Sequence, residues 1–570
     1  MNKDRLISLL DTILFAGALV AVISFLAHYG FFLTPGLLHV IRQGAFILTG
    51  ILILDNILML LIHGRPREEF RERRSLYIVT ALILIHFILI RFDVYGGGAE
   101  GHLSRYFVAA QVYIVFMFII KLTKVNRLVL PGINWRPEQL FILSFLGVIV
   151  IGTLFLSFPR ATTAEGSMPL IDAFFTSTSA VCVTGLIVVD TAVYFTRFGQ
   201  FVILALIQIG GLGLMTFTSF FTIFFFKTMS FRERFLMSDV LSTDYIGGVH
   251  KIIGKILTIT FTIEAAGALL LFISWHDKFR NAGEALFHSV FHAVSSFCNA
   301  GFSTFSTSLA AFRGDVSVNL IVMFLIILGG LGFLVLMDFF QPLEGRRRML
   351  MVQTKLVLTT SLLLILAGAV LFFIMESSGV LQGFSLKEKL LASFFQSVTP
   401  RTAGFNTVNI GLLSVPMLLI FTLFMFIGAS PGSTGGGIKT TTFGILVATV
   451  WSYLKSRDQV ILFKRRIPSR LVYRAMSLAI ISFAYLFFVY LFLIVSEDFS
   501  LMDTLFEMIS AFGTVGLSTG VTPHLSSAGK VAIMLTMFVG RLGPMTLALA
   551  LSRSEKSVLT YPEEASIMVG

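Results

Sequence analysis

Apolar residues run through this chain in long stretches, and polar residues come in short clusters between them. Four apolar runs lie before residue 135, at about 8–33, 37–62, 76–91 and 105–122. A hydrocarbon core of about 30 Å takes about 20 apolar residues of helix to cross, so each run predicts a transmembrane helix. The pattern then changes to a three-part unit: a long apolar stretch, a short one and another long one. Unit A has a first helix at about 137–157, a short segment at 169–190 and a second helix at 197–226. Unit B has 251–275, 283–306 and 316–340; unit C has 353–376, 387–409 and 411–450; unit D has 470–496, 501–520 and 528–551. The short member is too short to span and is expected to dip into the membrane and return. The expected organisation is therefore an N-terminal extension at 1–134, then units at 135–240, 241–350, 351–466 and 467–570, the last ending in a short tail.

The polar clusters carry an orientation. The loop His63-Gly-Arg-Pro-Arg-Glu-Glu-Phe-Arg-Glu-Arg-Arg74 holds five arginines, whereas Asp93-Val-Tyr-Gly-Gly-Gly-Ala-Glu100 holds none. The fourth run ends in Lys121, Lys124 and Arg127, and the segments between units are basic: Lys227 to Arg234, Arg346 to Arg348, and Lys455 to Arg470. The positive-inside rule places all of these, with both termini, in the cytoplasm. The agreement holds only if each short segment enters and leaves from the other side.

Inside the short segments an eleven-residue pattern recurs: Phe175-Thr-Ser-Thr-Ser-Ala-Val-Cys-Val-Thr-Gly185, Phe291-His-Ala-Val-Ser-Ser-Phe-Cys-Asn-Ala-Gly301, Phe394-Phe-Gln-Ser-Val-Thr-Pro-Arg-Thr-Ala-Gly404 and Phe506-Glu-Met-Ile-Ser-Ala-Phe-Gly-Thr-Val-Gly516. An apolar residue follows every glycine: Leu186, Phe302, Phe405 and Leu517. Four copies of one device suggest four-fold pseudosymmetry about an axis, and an axis through a bilayer is where a pore can form. Non-helical backbone at membrane depth is tolerated only where it lines a cavity or is buried in protein. Such loops have carbonyls to offer, and a dehydrated cation is their natural partner. The helix ahead of each loop is expected to aim its partially negative C-terminal end at the same place.

Composition narrows the class. The 570 residues are 56% hydrophobic and 13% charged, with mean hydropathy +0.89, against about 25% charged in soluble domains. This is an integral membrane protein, all-α by pattern. A net charge of +12 would suit nucleic acid, but the basic residues form scattered loops rather than one patch, so no nucleic-acid partner is expected. The first run is too long for a signal-peptide core and lacks a clear cleavage site. Cys182 and Cys298 cannot build a disulfide framework and read as small buried packing residues. No metal-ligand spacing, nucleophile with base or nucleotide fingerprint argues for an enzyme.

The motifs Ser179-Ala-Val-Cys-Val-Thr-Gly-Leu186, Pro400-Arg-Thr-Ala-Gly-Phe-Asn406 and Gly513-Thr-Val-Gly-Leu-Ser518 carry a resemblance. Over about residues 135–551 the chain resembles the Trk/Ktr/HKT superfamily of potassium transporters. The resemblance implies four helix–pore-loop–helix units around one pore, with a filter made by Val183, Thr184, Gly185, Asn299, Ala300, Gly301, Thr402, Ala403, Gly404, Thr514, Val515 and Gly516. Potassium would pass at Gly185, Gly301, Gly404 and Gly516, sometimes helped by sodium. Sodium-preferring members tend to carry Ser at the first filter glycine, and Gly185 favours potassium. The resemblance further implies a homodimer in a bacterial-type plasma membrane, with a separate cytosolic ring of nucleotide-binding regulatory subunits. The four N-terminal helices exceed the family core, and they lack the arginine rows of a voltage sensor.

A second segment, Gly428-Ala-Ser-Pro-Gly-Ser-Thr-Gly-Gly-Gly-Ile-Lys-Thr440, interrupts the second helix of unit C. It is not a nucleotide P-loop, because Ile438 separates Gly437 from Lys439. A plain surface turn is one reading. The resemblance implies instead an intramembrane gate below the filter, in which Gly428, Ser430, Gly432, Ser433, Thr434, Gly435, Gly436, Gly437 and Lys439 take part. Arg541 lies inside the last apolar run with neither end near, at a cost of about 2.5–3.5 kcal/mol. In the family an arginine in this Gly-Arg-Leu-Gly-Pro context faces the pore, so Arg541 is expected to meet the gate or form a barrier to cations. Glu264, Asp55 and Asn56 read as interhelical hydrogen-bonding groups, Arg401 as a tether to the pore helices, and His292 and Glu507 as satisfied buried groups.

Potassium uptake through a gated carbonyl filter is the reading favoured here. A sodium-conducting or sodium–potassium cotransporting member is one alternative. A membrane scaffold or receptor with a vestigial pore is another.

Overall fold

The computed structural model of the chain describes residues 34–62, 74–91, 137–164, 166–226, 249–340 and 350–544, with isolated positions in 24–32 and 106–113. Most of the first and fourth N-terminal runs, the side chains of Asp55 and Asn56, the arginine loop, the basic segments 227–234 and 342–348, and the last run beyond 544 lie outside the described residues. The chain is a multi-pass helical membrane protein. Among the described residues, Pro35–Leu54, Ile253–Lys278, Val352–Glu376 and Ser469–Ser496 are each long and apolar enough to cross a membrane. Their exposed Leu362, Leu363, Ile374, Phe487 and Phe488 present apolar surface that suits lipid rather than water.

In the N-terminal region, helices Pro35–Ile62 and Arg74–Arg91 pack together. Thr80 and Tyr113 share a hydrogen bond of 3.0 Å there.

From residue 137 each of four successive groups contains a first helix, a short helix and a second helix. The first helices are Pro137–Leu156, Val249–Trp275, Val352–Glu376 and Ser469–Ser496. The short helices are Leu170–Val181, Ala282–Phe297, Leu386–Val398 and Leu501–Gly513. Their 12 to 16 residues span about 18–24 Å at 1.5 Å per residue, short of the membrane core. Capping explains where three of them start. Asn281, Ser385 and Ser500 accept N–H bonds from Glu284, Glu388 and Asp503, and Ser385 with Glu388 forms a reciprocal capping box. Each short helix also carries an acid in its first turn, Asp172 in group A, which favours a helix N-terminus.

The second helices are Arg197–Phe226, Val316–Leu331, Val415–Phe426 and Ser527–Leu542. Each packs on the short helix of the next group: A on B, B on C, C on D, and D back on A. Cyclic packing brings residues more than 300 positions apart into contact.

Three sequence expectations are corrected. The second helix of group B is not continuous over 316–340. It breaks at Gly332 (φ +90°) and the following helix, Phe333–Phe340, departs at 103°. The carbonyl of Pro431 occupies the place a side chain would take at Gly332. Likewise the helix Ser527–Leu542 breaks at Gly543 (φ +85°), with Pro544 helical again at the edge of the described residues. Arg541 therefore stands in the last helical turn, not far from an end. The third correction is small: the segment 455–470 departs from all-α, pairing Ile461–Leu462 with Arg465–Arg466 around Phe463 and Lys464, both at positive φ, as a two-residue hairpin turn requires.

The ring closes between D and A at an ion pair, Lys530 to Asp172 at 2.6 Å, with side chains 13% and 17% exposed. Removing one partner of a largely buried pair leaves the other charge stranded. Asp172→Asn is expected to cost about 2 kcal/mol, between exposed and fully buried pairs. Thermal unfolding in detergent checks this, and Asp172→Asn with Lys530→Met should recover part of the loss.

Candidate functional site

The four short helices end a few residues before Gly185, Gly301, Gly404 and Gly516. All four glycines have positive φ, from +70° to +89°. Two residues earlier in each loop stands a non-glycine at positive φ: Val183 (55°), Asn299 (59°), Thr402 (75°) and Thr514 (49°). Three of these are β-branched, for which a left-handed backbone is a genuine outlier. Such conformations cost of order 1–3 kcal/mol each and persist only where the surroundings enforce them.

The surroundings here are the other loops. A Cβ on Gly185 would meet the Ala300 carbonyl and lie 3.1 Å from Gly301 Cα. On Gly301 it would lie 3.0 Å from both Ala403 O and Gly404 Cα. On Gly404 it would meet Val515 O and lie 3.3 Å from Gly516 Cα, and on Gly516 it would meet Thr184 O, 2.9 Å from Gly185 Cα. The contacts run round in one direction and close. The carbonyls of Thr184, Ala300, Ala403 and Val515 thus share one ring with the glycines.

Hydroxyls on the short helices anchor the loops. Ser179 and Ser510 accept the N–H of Gly185 (3.0 Å) and Gly516 (3.1 Å). Ser295 and Thr399 donate to the carbonyls of Phe302 and Phe405, just past their glycines. The ring itself is main-chain oxygen with no carboxylate, a donor set suited to an alkali cation.

The segment 428–440 lies against the base of this ring. The N–H of Gly436 donates to Thr514 Oγ1 at 2.8 Å, and a side chain at Gly435 would strike Thr402. Asn299 and Thr402 bond to each other at 3.1 Å. The segment also replaces the missing turn at the Gly332 break. Ser430 N–H donates to Gly330 O (3.0 Å), Thr434 N–H to Gly329 O (3.3 Å), and Phe333 N–H turns to Gly432 O (2.8 Å). Lys439 Nζ donates back to Gly435 O at 2.7 Å. Ser430 and Thr440 hydroxyls bond at 3.0 Å, and Ile427 and Ile438 form a parallel bridge that closes the neck at Gly428 and Gly437. Ser433 is buried. Arg541, 2% exposed, donates to the carbonyls of Thr434 and Gly210.

Arg401 corrects its expectation: it donates to Ser361 on the first helix of group C at 2.8 Å, not to the short helices. Glu264 accepts from Gln208 across a helix pair at 3.1 and 3.2 Å. Cys182 and Cys298 are buried and free.

A second repeat lies below the loops. Gly210-Gly-Leu-Gly213, Gly329-Gly-Leu-Gly332 and Gly540-Arg-Leu-Gly543 follow the loop glycines of A, B and D by 24–28 residues, and Gly428 stands at the matching place in C. The first glycine of each of these three motifs faces the end of its own short helix, at the carbonyls of Val181, Phe297 and Phe512. Arg541 therefore occupies the position that Gly211 and Gly330 hold elsewhere. The signal was an ordinary spacing, hidden because glycines are common in apolar helices.

Comparisons with known proteins bear on the family and the general fold. The TrkH family, described as a cation transport protein, matches residues 138–559. The chain is 40% identical over 438 residues to the Ktr system potassium uptake protein B of Bacillus subtilis, covering 76% of this chain and 97% of that protein. It is 38% identical over 443 residues to the potassium/sodium uptake protein NtpJ of Enterococcus hirae, covering 76% and 97%. The crystal structure of the potassium transporter TrkH from Vibrio parahaemolyticus superposes with TM-score 0.61 at 18% identity, over 84% of this chain and 97% of that one. That coverage reaches into the segment before residue 138, so part of the N-terminal region has a counterpart in fold.

Gly329 sits against Phe297 O, whereas Gly254 has open space around it. Gly329→Ala is expected to cost more than about 2 kcal/mol by overpacking, and Gly254→Ala to be neutral or to add up to about 1 kcal/mol of helix stability. Size-exclusion profiles after graded heating report both.

Proposed function

The chain belongs to the TrkH cation-transport family, and from that premise we propose that it takes up potassium through a central pore whose filter is the ring of four loops. One observation carries the reading. Gly185, Gly301, Gly404 and Gly516 contact one another in cyclic order with the preceding carbonyls between them. Four such loops in four similar helical units make a pseudo-symmetric pore, and carbonyl oxygens in a ring replace water around a dehydrated cation. The short helices favour a cation further, because their C-terminal ends converge on it.

The segment 428–440 is the gate in this reading. It lies across the path below the filter, and Arg541 holds its tip through Thr434. The guanidinium sits in a last helical turn, where the partially negative end of the helix offsets part of its burial cost. As a charge on the axis it also repels cations while the gate is shut.

A second reading, sodium conduction beside potassium, draws on the relative named a potassium/sodium uptake protein. Gly185 weighs toward potassium. We further propose a plasma-membrane homodimer with cytoplasmic termini. A separate nucleotide-binding regulatory ring would meet its basic face, where the hairpin exposes Lys464, Arg465 and Arg466.

Potassium-limited growth and ion flux in liposomes test the pore. The chain is expected to restore growth and pass potassium well above sodium, and Gly404→Ser to broaden or abolish that preference. Unchanged selectivity in Gly404→Ser would sink the filter assignment. Arg541→Gln is expected to raise basal rubidium flux severalfold, by about the loss of one charged hydrogen bond. An unchanged rate and affinity would remove Arg541 from the gate.

A further inference from the structure

Nine residues before the loop glycine, three short helices carry a buried polar side chain: Thr176, His292 and Glu507. In group C the anchoring hydroxyl, Thr399, comes one residue later in register, and the matching side chain is Gln396, eight residues before Gly404. These four groups differ in how firmly they hold the chain that leaves the loop.

Glu507 holds it by three hydrogen bonds. Its Oε1 accepts from the Ser518 hydroxyl and from Thr519 N–H at 3.1 Å, and its Oε2 accepts from the Thr522 hydroxyl at 2.8 Å. Ser518 Oγ in turn accepts the Gly520 N–H at 2.8 Å and lies 3.1 Å from Thr522 Oγ1. All three groups donate to the carboxyl in this arrangement. His292 holds one hydroxyl, Ser303, at 2.9 Å, while its other ring nitrogen bonds the His288 carbonyl at 2.8 Å. Gln396 reaches Thr407 only at 3.4 Å. The Thr176 hydroxyl has no hydrogen-bond partner among the described residues.

A ring of flexible carbonyls discriminates between ions by how closely it holds its dimensions and field. The loops lie in left-handed conformations that need support. Each hydrogen bond adds to the hold, and three bonds hold a loop more firmly than one or none. Loop D is therefore pinned hardest on its far side, and loop A least.

We propose that Glu507 is a positioning residue for ion selection: through Ser518, Thr519 and Thr522 it fixes the outer end of loop D, and so the place of the Val515 carbonyl and Gly516 in the ring. This rests on the pore reading above. It differs from a purely structural role, in which Glu507 only satisfies its own burial.

The test uses the full chain in liposomes, comparing wild type, Glu507→Gln, Thr522→Val and the double variant. Measured are the potassium-to-sodium permeability ratio and the half-saturating potassium concentration, per reconstituted molecule. Glutamine keeps the size but turns one acceptor into a donor facing donors. Glu507→Gln is expected to lower the permeability ratio about tenfold while maximal potassium flux changes by less than about threefold. Thr522→Val, near in shape, should move the ratio the same way by less, and the double variant should fall short of additivity because both act on one network. An unchanged ratio and half-saturation in Glu507→Gln and Thr522→Val, or a change in yield alone, overturns the proposal. Should Glu507→Gln fail to fold, Thr522→Val decides by itself. A wild-type chain that passes no cations overturns the pore reading and this inference with it.

Discussion

Backbone groups at membrane depth have no water to pair with, and this molecule leaves them open where its four short helices stop. Helix is the cheap answer to that constraint, and it is abandoned at four equivalent places. The remaining solution is mutual: each glycine lies against the carbonyl and Cα of the next loop. None of the loops holds its shape alone. Val183, Asn299, Thr402 and Thr514 stay left-handed because the neighbours and the anchoring hydroxyls leave no other room. The ring of second helices against short helices fixes those neighbours in place.

The same constraint explains the breaks beneath the ring. In an unbroken helix the carbonyls of Gly329 and Gly330 would serve the N–H groups of Phe333 and Leu334. Here Thr434 and Ser430 take those carbonyls, and Phe333 turns to Gly432. The segment 428–440 and the bend at Gly332 are thus one exchange of hydrogen bonds. Arg541 adds a charged tie between this segment and the second helix of group A through Gly210.

Much of the layout was legible beforehand. Apolar run length separates spanning from short helices, and the recurrence of Phe ten residues before Gly marks four equivalent loops. The Gly-rich interruption in group C stands out because glycine and small hydroxyls seldom gather inside an apolar run. The breaks at Gly332 and Gly543 were not legible, since Gly inside an apolar helix is common and a bend depends on what lies against it. Pro431 decides the first of these. The break at Gly543 also puts Arg541 at a helix end that apolar run length does not reveal. The tether from Arg401 reaches the first helix of group C rather than a short helix, because its partner, Ser361, lies 40 positions earlier in the chain.

The sequence by itself determined that this is a many-spanning membrane protein with four loop-bearing units, because hydrophobic length and local repeats are properties of neighbours along the chain. Only the tertiary structure decided the cyclic contact of the glycines, the bond exchange at the Gly332 break, and the unequal support behind the loops from Thr176, His292, Gln396 and Glu507. The first two depend on which carbonyl stands opposite, and that is set by packing between segments scores to hundreds of residues apart. The third depends on how each loop folds back over its own short helix, 11 to 15 residues away in groups B, C and D, a fold that residue spacing alone does not specify.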